Sequence, residues 1–314
     1  MNEDIDIITL GESLIELSSD LKIRDTVSFQ KYYGGDALVT SVTASRLGAK
    51  VGFITRVGND DFKDYLMDSW TSEGLDISHV KISEEPNGLY IITRPSINEK
   101  EVVYYRKKIA PAKLSLEDIP QDYVKNSRAV YSTGITQSLS LSAKEAVSGL
   151  FKIAKGNDII TAYDPNYSSK IISPEEAKEN FHAVIENIEI LFLSTKYDTK
   201  NLFENTSPES IIKQIWDLGV KTVVLKSADK GGYYTGYNGE ISFTEFYTKD
   251  VKDTTCSGDA FNGAFLFGIL NGYTPKESTK LACITAGLQA QGIGAVKSVP
   301  SSDKVFQIFK QGVE

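Results

Sequence analysis

The sequence predicts an α/β protein in which helices cover both faces of a mostly parallel central sheet, with a small β-sheet lid. Short apolar runs alternate with helical stretches in the second half of the chain, the runs lying at 129–132, 159–163, 190–194 and 222–226. Such alternation is typical of right-handed βαβ units, which give parallel strands. Ligands of these sheets bind beyond the carboxyl ends of the strands. A functional site is therefore expected at that edge.

The first half of the chain predicts the start of the central sheet and the lid. Strands are expected at 5–10 and 51–56, and helices from Gly34-Gly35 through Leu47 and at 60–73. Further strand-like runs at 88–94 and 101–106 carry polar residues that do not fit the core of a parallel sheet, and runs at 14–18 and 27–32 can complete a small sheet with them. We predict that they build the lid, from roughly 14–33 and 88–108, within a single domain spanning 1–314.

Composition excludes several classes of function. The net charge of −8 and the pI near 5.1 argue against a nucleic-acid-binding protein, which needs a basic face. The two cysteines lack the spacing of a metal site or a disulfide framework, and the acidic residues 1–4 do not resemble a signal peptide, so a reducing cytoplasm is expected. There is no apolar run of the ~18 residues that a membrane span needs. P-loop and dinucleotide-binding glycine motifs are also absent from the sequence.

Residues 253–259, D-T-T-C-S-G-D, form a turn of small residues that leads straight into an apolar helix. The free N–H groups and the positive end of such a helix suit a phosphate-like anion. Asp259 would repel that anion, but it can accept a proton from an alcohol that attacks the phosphate. The turn therefore predicts a phosphoryl-transfer centre. The same helix end should favour the thiolate of Cys256 and make it reactive.

Two motifs resemble those of the ribokinase-like (PfkB) sugar kinases. D-T-x-x-x-G-D followed by A-F is similar to the anion-hole motif of that family, and Gly34-Gly35 heading a helix that ends in R-L-G resembles its N-terminal motif. The resemblance covers roughly residues 5 to 300. It implies a three-layer αβα fold, ATP as phosphoryl donor, Mg²⁺ bridging the phosphates and Asp259 as general base. The charge of the transferred group would be stabilised by the backbone N–H groups of Cys256, Ser257, Gly258 and Asp259.

The lid strands carry candidate substrate contacts. Strand periodicity places Tyr104 and Arg106 on one face, and Tyr90 lies on the partner strand. Two phenols and a guanidinium suit a small polyol that carries a carboxylate. The 2-keto-3-deoxygluconate kinases of the family have a similar Y-Y-R-K, whose first Tyr and Arg contact substrate. A solvated lid face or a dimer surface remains the alternative. The resemblance also implies a close approach of the sugar to Gly34 and Gly35.

Other family motifs are present in altered form. Val39 and Ser168 stand where the family usually has Asn and Arg, and Lys170 is the cation that would partly replace that Arg. Ser194 and Tyr197 occupy the ends of the N-x-x-E motif, for which Asp198 is a substitute, and Ala228 replaces a glycine of K-x-G-x-x-G. The resemblance implies nucleotide contacts from Ser194, Lys226, Gly231, Thr254 and Cys283, the last in place of Asn.

The leading interpretation is an ATP-dependent kinase of 2-keto-3-deoxygluconate or a closely related acidic sugar. A kinase of a neutral sugar such as fructose or ribose is one alternative, which Ser168 favours and Tyr104 and Arg106 oppose. A sugar- or nucleotide-binding homologue with impaired catalysis is the other, motivated by the altered positions. Expected partners are the sugar, ATP and a second copy of the chain that meets the lid; neither nucleic acid nor a membrane is expected. The ligands of the metal are left open.

Overall fold

The computed structural model describes residues 5–96, 99–203, 207–248 and 250–311, so the acidic N-terminus and residues 97 and 98 of the predicted lid lie outside the described residues. The strands are β1 Ile5–Leu10, β2 Leu14–Ser19, β3 Gln30–Gly34, β4 Val51–Ile54, β5 Arg56–Gly58, β6 Lys81–Ser83, β7 Gly88–Ser96, β8 Glu99–Tyr105, β9 Ser127–Thr133, β10 Ile160–Asp164, β11 Ile190–Ser194, β12 Thr222–Ser227, β13 Gly232–Tyr237 and β14 Glu240–Glu245. The helices are α1 Asp36–Leu47, α2 Lys63–Ser72, α3 Gln121–Lys125, α4 Gly134–Gln137, α5 Leu141–Lys155, α6 Pro174–His182, α7 Asp198–Leu202, α8 Pro208–Asp217, α9 Ser257–Leu270, α10 Pro275–Ala290 and α11 Ser302–Gln311.

The central sheet has eight strands in the order β14-β13-β12-β11-β10-β9-β1-β4. In that order, the neighbouring strands from β12 through β11, β10, β9 and β1 to β4 run parallel to one another, as the alternating pattern predicts. The antiparallel hairpin β13–β14 at the edge was not predicted. Its turn is Asn238-Gly239, both with positive φ (50° and 81°), which is the signature of a tight hairpin turn in the sequence.

Two apolar cores lie on opposite faces of this sheet and give three layers. On β11, Phe192 packs into one core while Leu191 and Leu193 pack into the other, because neighbouring strand side chains point to opposite faces. Helices α1, α9 and α10 cover the Phe192 side, and α5 and α8 cover the other. The predicted α/β three-layer fold is confirmed.

A second, four-stranded sheet lies beside the central one in the order β3-β2-β7-β8. Strands β2 and β7 pair in parallel, and the outer pairs are antiparallel. These strands come from the two segments predicted for the lid, and we call them the small sheet. The pair β5–β6, which was not predicted, forms a further short parallel ladder.

Local signals fix the ends of several helices. Ser173 and Thr274 each form a capping box at the start of α6 and α10, with proline at the first helical position, as their sequences predict. Helix α9 is buried on nearly all sides because it packs between α1 and α10. Within the described ranges, none of the helices has the length and apolar character needed to cross a membrane.

Candidate active site

Two chambers meet at the N-terminal end of α9, beyond the carboxyl ends of the parallel strands. The lid chamber, about 470 Å³, lies under the small sheet, and the outer chamber, about 420 Å³, lies towards β13 and α10. Both chambers are lined by a shared set of residues at their junction, namely Asn166, Tyr197, Thr254, Cys256 and Asp259. The predicted general base therefore lies where ligands in the two chambers would meet.

The turn before α9 holds its shape through its own hydrogen bonds. The Asp253 carboxylate accepts the Thr255 N–H at 3.0 Å, and Cys256 adopts the left-handed conformation with φ 60°. The N–H groups of Ser257 and Asp259 donate to the carbonyl oxygens of Thr254 (3.2 Å) and Cys256 (3.1 Å). Of the four N–H groups predicted to bind an anion, those of Cys256 and Gly258 have no acceptor among the described residues. These two are the better candidates for anion binding.

Asp259 lies in a cluster of buried carboxyl groups. The Asn166 amide lies 3.5 Å from Asp259 Oδ1 and 3.4 Å from Asp36 Oδ2, so it bridges two carboxyl groups. Burial and then the charge of Asp36 raise the pKa of Asp259 to about 8, against the opposing effect of Lys226. A carboxyl group with such a pKa is protonated at low pH and becomes able to accept a proton, as a general base must, when the pH rises through about 8.

Lys226 reaches the turn from β12. Its Nζ lies 2.5 Å from Asp164 Oδ2, which also accepts a hydrogen bond of 2.7 Å from the Asn262 amide. Burial lowers the pKa of Lys226, but Asp164 outweighs that effect and the pKa is raised, so the side chain carries its charge. A Cβ atom on Gly258 would lie 3.3 Å from this Nζ. Glycine at this position leaves room for the ammonium group beside the turn.

The lid chamber contains an ion pair that the sequence analysis did not predict. Arg106 Nη2 lies 2.7 Å from Glu12 Oε1, and both side chains are nearly inaccessible to solvent. Burial raises the pKa of Glu12 to about 7, although Arg106 opposes the shift. The second oxygen, Oε2, has no hydrogen-bond partner among the described residues. Glu12 lies two residues beyond the end of β1, and a position at the carboxyl end of a strand is the signal that the sequence offers for it.

Tyr90 and Tyr104 lie close together on the small sheet, with ring centroids 5.9 Å apart, and both line the lid chamber. The Tyr90 hydroxyl donates to Glu16 Oε2 at 2.5 Å. A Cβ on Gly34 would lie 2.7 Å from that hydroxyl, so Gly34 makes room for Tyr90 and does not line the chamber itself. Gly35 does line it, with φ 135°.

Lys170 and Ser168 line the lid chamber from the loop after β10. Lys170 is exposed, and its Nζ lies 3.5 Å from the carbonyl oxygen of Val102 on β8. The structure therefore brings Lys170 to the side of the chamber where Tyr104 and Arg106 lie.

The outer chamber is lined by Ser194, Lys226, Thr254 and Cys283 of the predicted nucleotide set, but Gly231 is not part of its lining. Cys283 donates its thiol to the carbonyl oxygen of Glu245 at 3.0 Å, and burial raises its pKa to about 11. Aromatic rings form part of the wall, namely Tyr233, Phe246 and Tyr247.

One expectation for an individual residue needs correction, and a second candidate residue makes local hydrogen bonds. Burial and then the charge of Asp259 raise the pKa of Cys256 well above its usual value, so the prediction of a reactive thiolate is wrong. Asp198, considered as a substitute at the N-x-x-E motif, accepts the N–H groups of Tyr167 (2.7 Å) and Ser194 (2.6 Å). Its two oxygens join the loop after β10 to the end of β11.

Known proteins resemble the chain along nearly its whole length. It is 29% identical over 311 residues to a 2-dehydro-3-deoxygluconokinase of Thermoproteus tenax, covering 98% of this chain and 94% of the relative. It is 28% identical to a 5-dehydro-2-deoxygluconokinase of Clostridium beijerinckii, covering 99% and 94%. The solved structure of an E. coli protein titled a ribokinase II, in complex with ATP and Mg²⁺, superposes with a TM-score of 0.89 at 23% identity, covering 98% of this chain and 99% of that one. Residues 4–302 match the family described as pfkB family carbohydrate kinase, and the chain belongs to that family.

Proposed function

We propose that this carbohydrate kinase transfers the γ-phosphoryl group of ATP to the primary hydroxyl of 2-keto-3-deoxygluconate or a closely related acidic sugar. The observation that carries the proposal is the position of Asp259, whose side chain lines both chambers at their junction. The acidic substrate is supported by Arg106 and Lys170 in the lid chamber and by the names of two relatives, both kinases of deoxygluconate derivatives.

In the proposed mechanism the sugar occupies the lid chamber and ATP the outer chamber. The Asp259 carboxylate accepts the proton of the attacking hydroxyl while the new O–P bond forms and the bond to ADP breaks. The N–H groups of Cys256 and Gly258 and the ammonium of Lys226 stabilise the negative charge on the transferred group. Closure of the small sheet over the sugar would exclude water and limit hydrolysis of ATP.

Three features of the outer chamber suit a nucleotide. Lys226 supplies a fixed cation beside the turn, Cys283 and the aromatic wall supply apolar surface, and the chamber opens onto Asp259. A resemblance in fold to the ATP-bound E. coli structure supports the same ligand. The two kinds of surface suit the two parts of ATP, because the phosphates need positive charge and the adenine ring needs a partly apolar surface.

Magnesium is proposed as the ion that accompanies ATP, without assigned protein ligands. Among the described residues there is no group of three or more His, Cys, Asp or Glu side chains that could hold a metal ion. Asp164 and Asp198 near the outer chamber already bind Lys226 and backbone N–H groups. The residues therefore do not form a cage of their own, and no step of the proposed mechanism depends on one.

A neutral sugar is the second candidate, and the Arg106–Glu12 ion pair favours it. At 2.7 Å this pair offsets the charge of Arg106, and Glu12 Oε2 is free to accept a sugar hydroxyl. An acidic sugar would have to compete with Glu12 for the guanidinium. With a pKa of about 7, Glu12 can be neutralised by a proton when a carboxylate enters, which keeps the acidic substrate the leading candidate.

A substrate panel with ATP tests the proposal. Purified protein is assayed for ADP formation with 2-keto-3-deoxygluconate, 5-keto-2-deoxygluconate, fructose, ribose and gluconate, and the product is located by ³¹P and ¹³C NMR. We expect the highest kcat/KM for one of the acidic sugars, with phosphate on the primary carbon. Faster turnover of fructose or ribose would select the neutral-sugar candidate. Binding of sugar without any ADP formation would select the impaired homologue.

The small sheet also exposes apolar residues on the face away from the chamber. Val103 and Tyr105 alternate with Tyr104 along the edge strand β8 and are 39% and 59% exposed. We include in the proposal a homodimer that buries these two residues. Light scattering of the wild type and of Val103→Asp tests it: the wild type should have twice the chain mass and the variant the mass of one chain. A monomeric wild type would contradict it.

A further inference from the structure

A chain of buried polar side chains connects the lid chamber with the turn before α9. It begins at the Tyr90 hydroxyl, which donates to Glu16 Oε2 at 2.5 Å. The other oxygen, Glu16 Oε1, lies 3.7 Å from Arg94 Nη2, and the same Nη2 lies 2.5 Å from Asp253 Oδ2. The Glu16, Arg94 and Asp253 side chains are 0%, 8% and 3% exposed, so the contacts are shielded from solvent.

A second cation of the small sheet reaches the same turn. Lys100 Nζ, from β8, lies 2.5 Å from Thr255 Oγ1 and 3.6 Å from Asp253 Oδ1. Arg94, from β7, donates to Ser18 Oγ at 2.9 Å and lies 3.5 Å from Thr255 Oγ1. Both cations therefore join the small sheet to the start of the turn that carries Cys256, Gly258 and Asp259.

This cluster leaves buried polar atoms without hydrogen bonds within the part of the chain that the structure describes, which is unusual for a group that only stabilises the fold. Arg94 Nε and Glu16 Oε1 are buried without a hydrogen-bond partner among the described residues. A buried ion pair gains stability only when the remaining donors and acceptors are satisfied, because removing charges from water is costly. The cluster does, however, lie between the tyrosine that lines one chamber and the turn that lines both. Its position would allow a ligand bound in one chamber to affect the structure of the other.

We propose that Arg94, assisted by Lys100, is a positioning residue that links the small sheet to the phosphate-binding turn, so that sugar and nucleotide each strengthen the binding of the other. A sugar that contacts Tyr90 fixes the strand that carries Arg94, and Arg94 then holds Asp253 and the turn in the arrangement that accepts the phosphates. The inference rests on the proposed function in placing the sugar in the lid chamber and ATP in the outer chamber.

Binding measurements on two conservative variants test the link. Arg94→Lys keeps the charge, but a single ammonium group has fewer donors with which to bridge Ser18, Glu16 and Asp253. Lys100→Met removes the second cation from a side chain that is 40% exposed, so it should fold normally. Lys31→Met is the matched control, because Lys31 lies on β3 of the same sheet and contacts the ring of Tyr65.

The quantity measured is the dissociation constant of a non-hydrolysable ATP analogue with and without saturating sugar, by calorimetry. The sugar is whichever one of the substrate panel the wild type phosphorylates fastest, so a wrong substrate assignment does not affect the test. We expect the sugar to tighten binding roughly 5- to 150-fold in the wild type, the usual range for coupled sites. In Arg94→Lys and Lys100→Met the ratio should fall towards one and kcat should drop, while the affinity without sugar and the Tm change little. Lys31→Met should behave as the wild type.

Three outcomes would overturn the inference. One is a wild type in which sugar does not alter the affinity for the analogue. Another is a pair of variants that keep the full wild-type ratio. The third is a ratio that falls equally in Lys31→Met, since the effect would then follow from loss of charge on the small sheet and not from contact with the turn. A wild type that phosphorylates only neutral sugars would instead contradict the proposed substrate and leave this test intact.

Discussion

Lys226 Nζ and Asp164 Oδ2 lie 2.5 Å apart, joining the carboxyl ends of β12 and β10 across the intervening strand β11. Asp164 is 1% exposed and Lys226 16%, so the pair is largely withdrawn from water. Because Asp164 holds the ammonium group beside Gly258, the cation is in place before any phosphate arrives. A preorganised charge of this kind stabilises a transition state without a cost of reorganisation.

We predict that Lys226→Met raises the KM for ATP and lowers kcat. Loss of one charge-assisted contact is worth about 1.5–3 kcal/mol, a factor of roughly 10 to 150. Lys226 also lowers the pKa of Asp259, so its removal should move the acid limb of the pH–rate profile to higher pH. Steady-state kinetics over pH 5–10 provide the measurement, with Lys221→Met, at the other end of the strand, as control. An unchanged KM and profile would remove Lys226 from the phosphate site.

Asp259→Asn should abolish most of the phosphoryl transfer and leave nucleotide binding largely intact. The amide cannot accept the proton, and loss of a general base typically lowers the rate about 10²- to 10⁴-fold. The kcat of the variant and its affinity for an ATP analogue are the measurements, with Asp303→Asn in the first turn of α11 as the control. A variant that keeps more than about a tenth of wild-type turnover, well above the range for a lost base, would exclude Asp259 as the base.

The pH dependence of kcat/KM should reflect the ionisation of the buried carboxyl groups around Asp259. Since the pKa of Asp259 is raised to about 8, the base is protonated at low pH and activity should rise as pH increases through that value. Asp36 contributes to the raised pKa, so Asp36→Asn should move the acid limb to lower pH even if the maximal rate falls. Because the two carboxyl groups interact, the apparent pKa of the acid limb describes the pair and not either carboxyl group alone. A limb that stays in place would show that the two carboxyl groups do not interact.

Sequence reasoning was most successful where local patterns determine structure. Apolar runs located the parallel strands of the second half, and proline-containing capping boxes located the starts of α6 and α10. The turn before α9 was also evident, because a polar, glycine-containing segment directly precedes an apolar helix. In each case the signal lies within a few consecutive residues, so no knowledge of distant contacts is needed.

The parts that were missed depend on contacts between distant segments. Glu12 and Arg106 are far apart in sequence, and only the fold brings together the segments that follow β1 and β8. Arg94 lies on the same face of β7 as Tyr90, a signal in the periodicity, but its partner Asp253 belongs to another part of the chain. The expectation of a reactive Cys256 was wrong for the same reason. The helix end that favours its thiolate is a local feature, whereas burial and the neighbouring charges that disfavour the thiolate depend on the fold and have the larger effect.

Cys256 should react slowly with thiol reagents. Burial and Asp259 disfavour its thiolate, and the thiolate is the reactive species. Mass spectrometry of the native protein after iodoacetamide treatment at pH 7.5 should show adduct formation at Cys256 slower than for glutathione, and the denatured protein serves as control. Rapid labelling of native Cys256 that bound ATP prevents would restore the original expectation of a reactive thiolate.

The substrate preference should depend on Arg106. Arg106→Met removes the guanidinium that would bind a sugar carboxylate, and kcat/KM for the acidic sugar should fall by roughly 10- to 150-fold, as for one charge-assisted contact. The loss leaves no unpaired charge at neutral pH, because the pKa of Glu12 is already about 7 and Arg106 is one of the groups that lowers it. A neutral sugar should be affected much less.

Lys170→Ala gives the companion measurement, since this exposed cation lines the same chamber and makes only a 3.5 Å contact with a carbonyl oxygen. We expect it to raise the KM for the acidic sugar and to leave the KM for ATP unchanged. Equal losses for acidic and neutral sugars in Arg106→Met, together with a silent Lys170→Ala, would show that neither cation recognises a carboxylate.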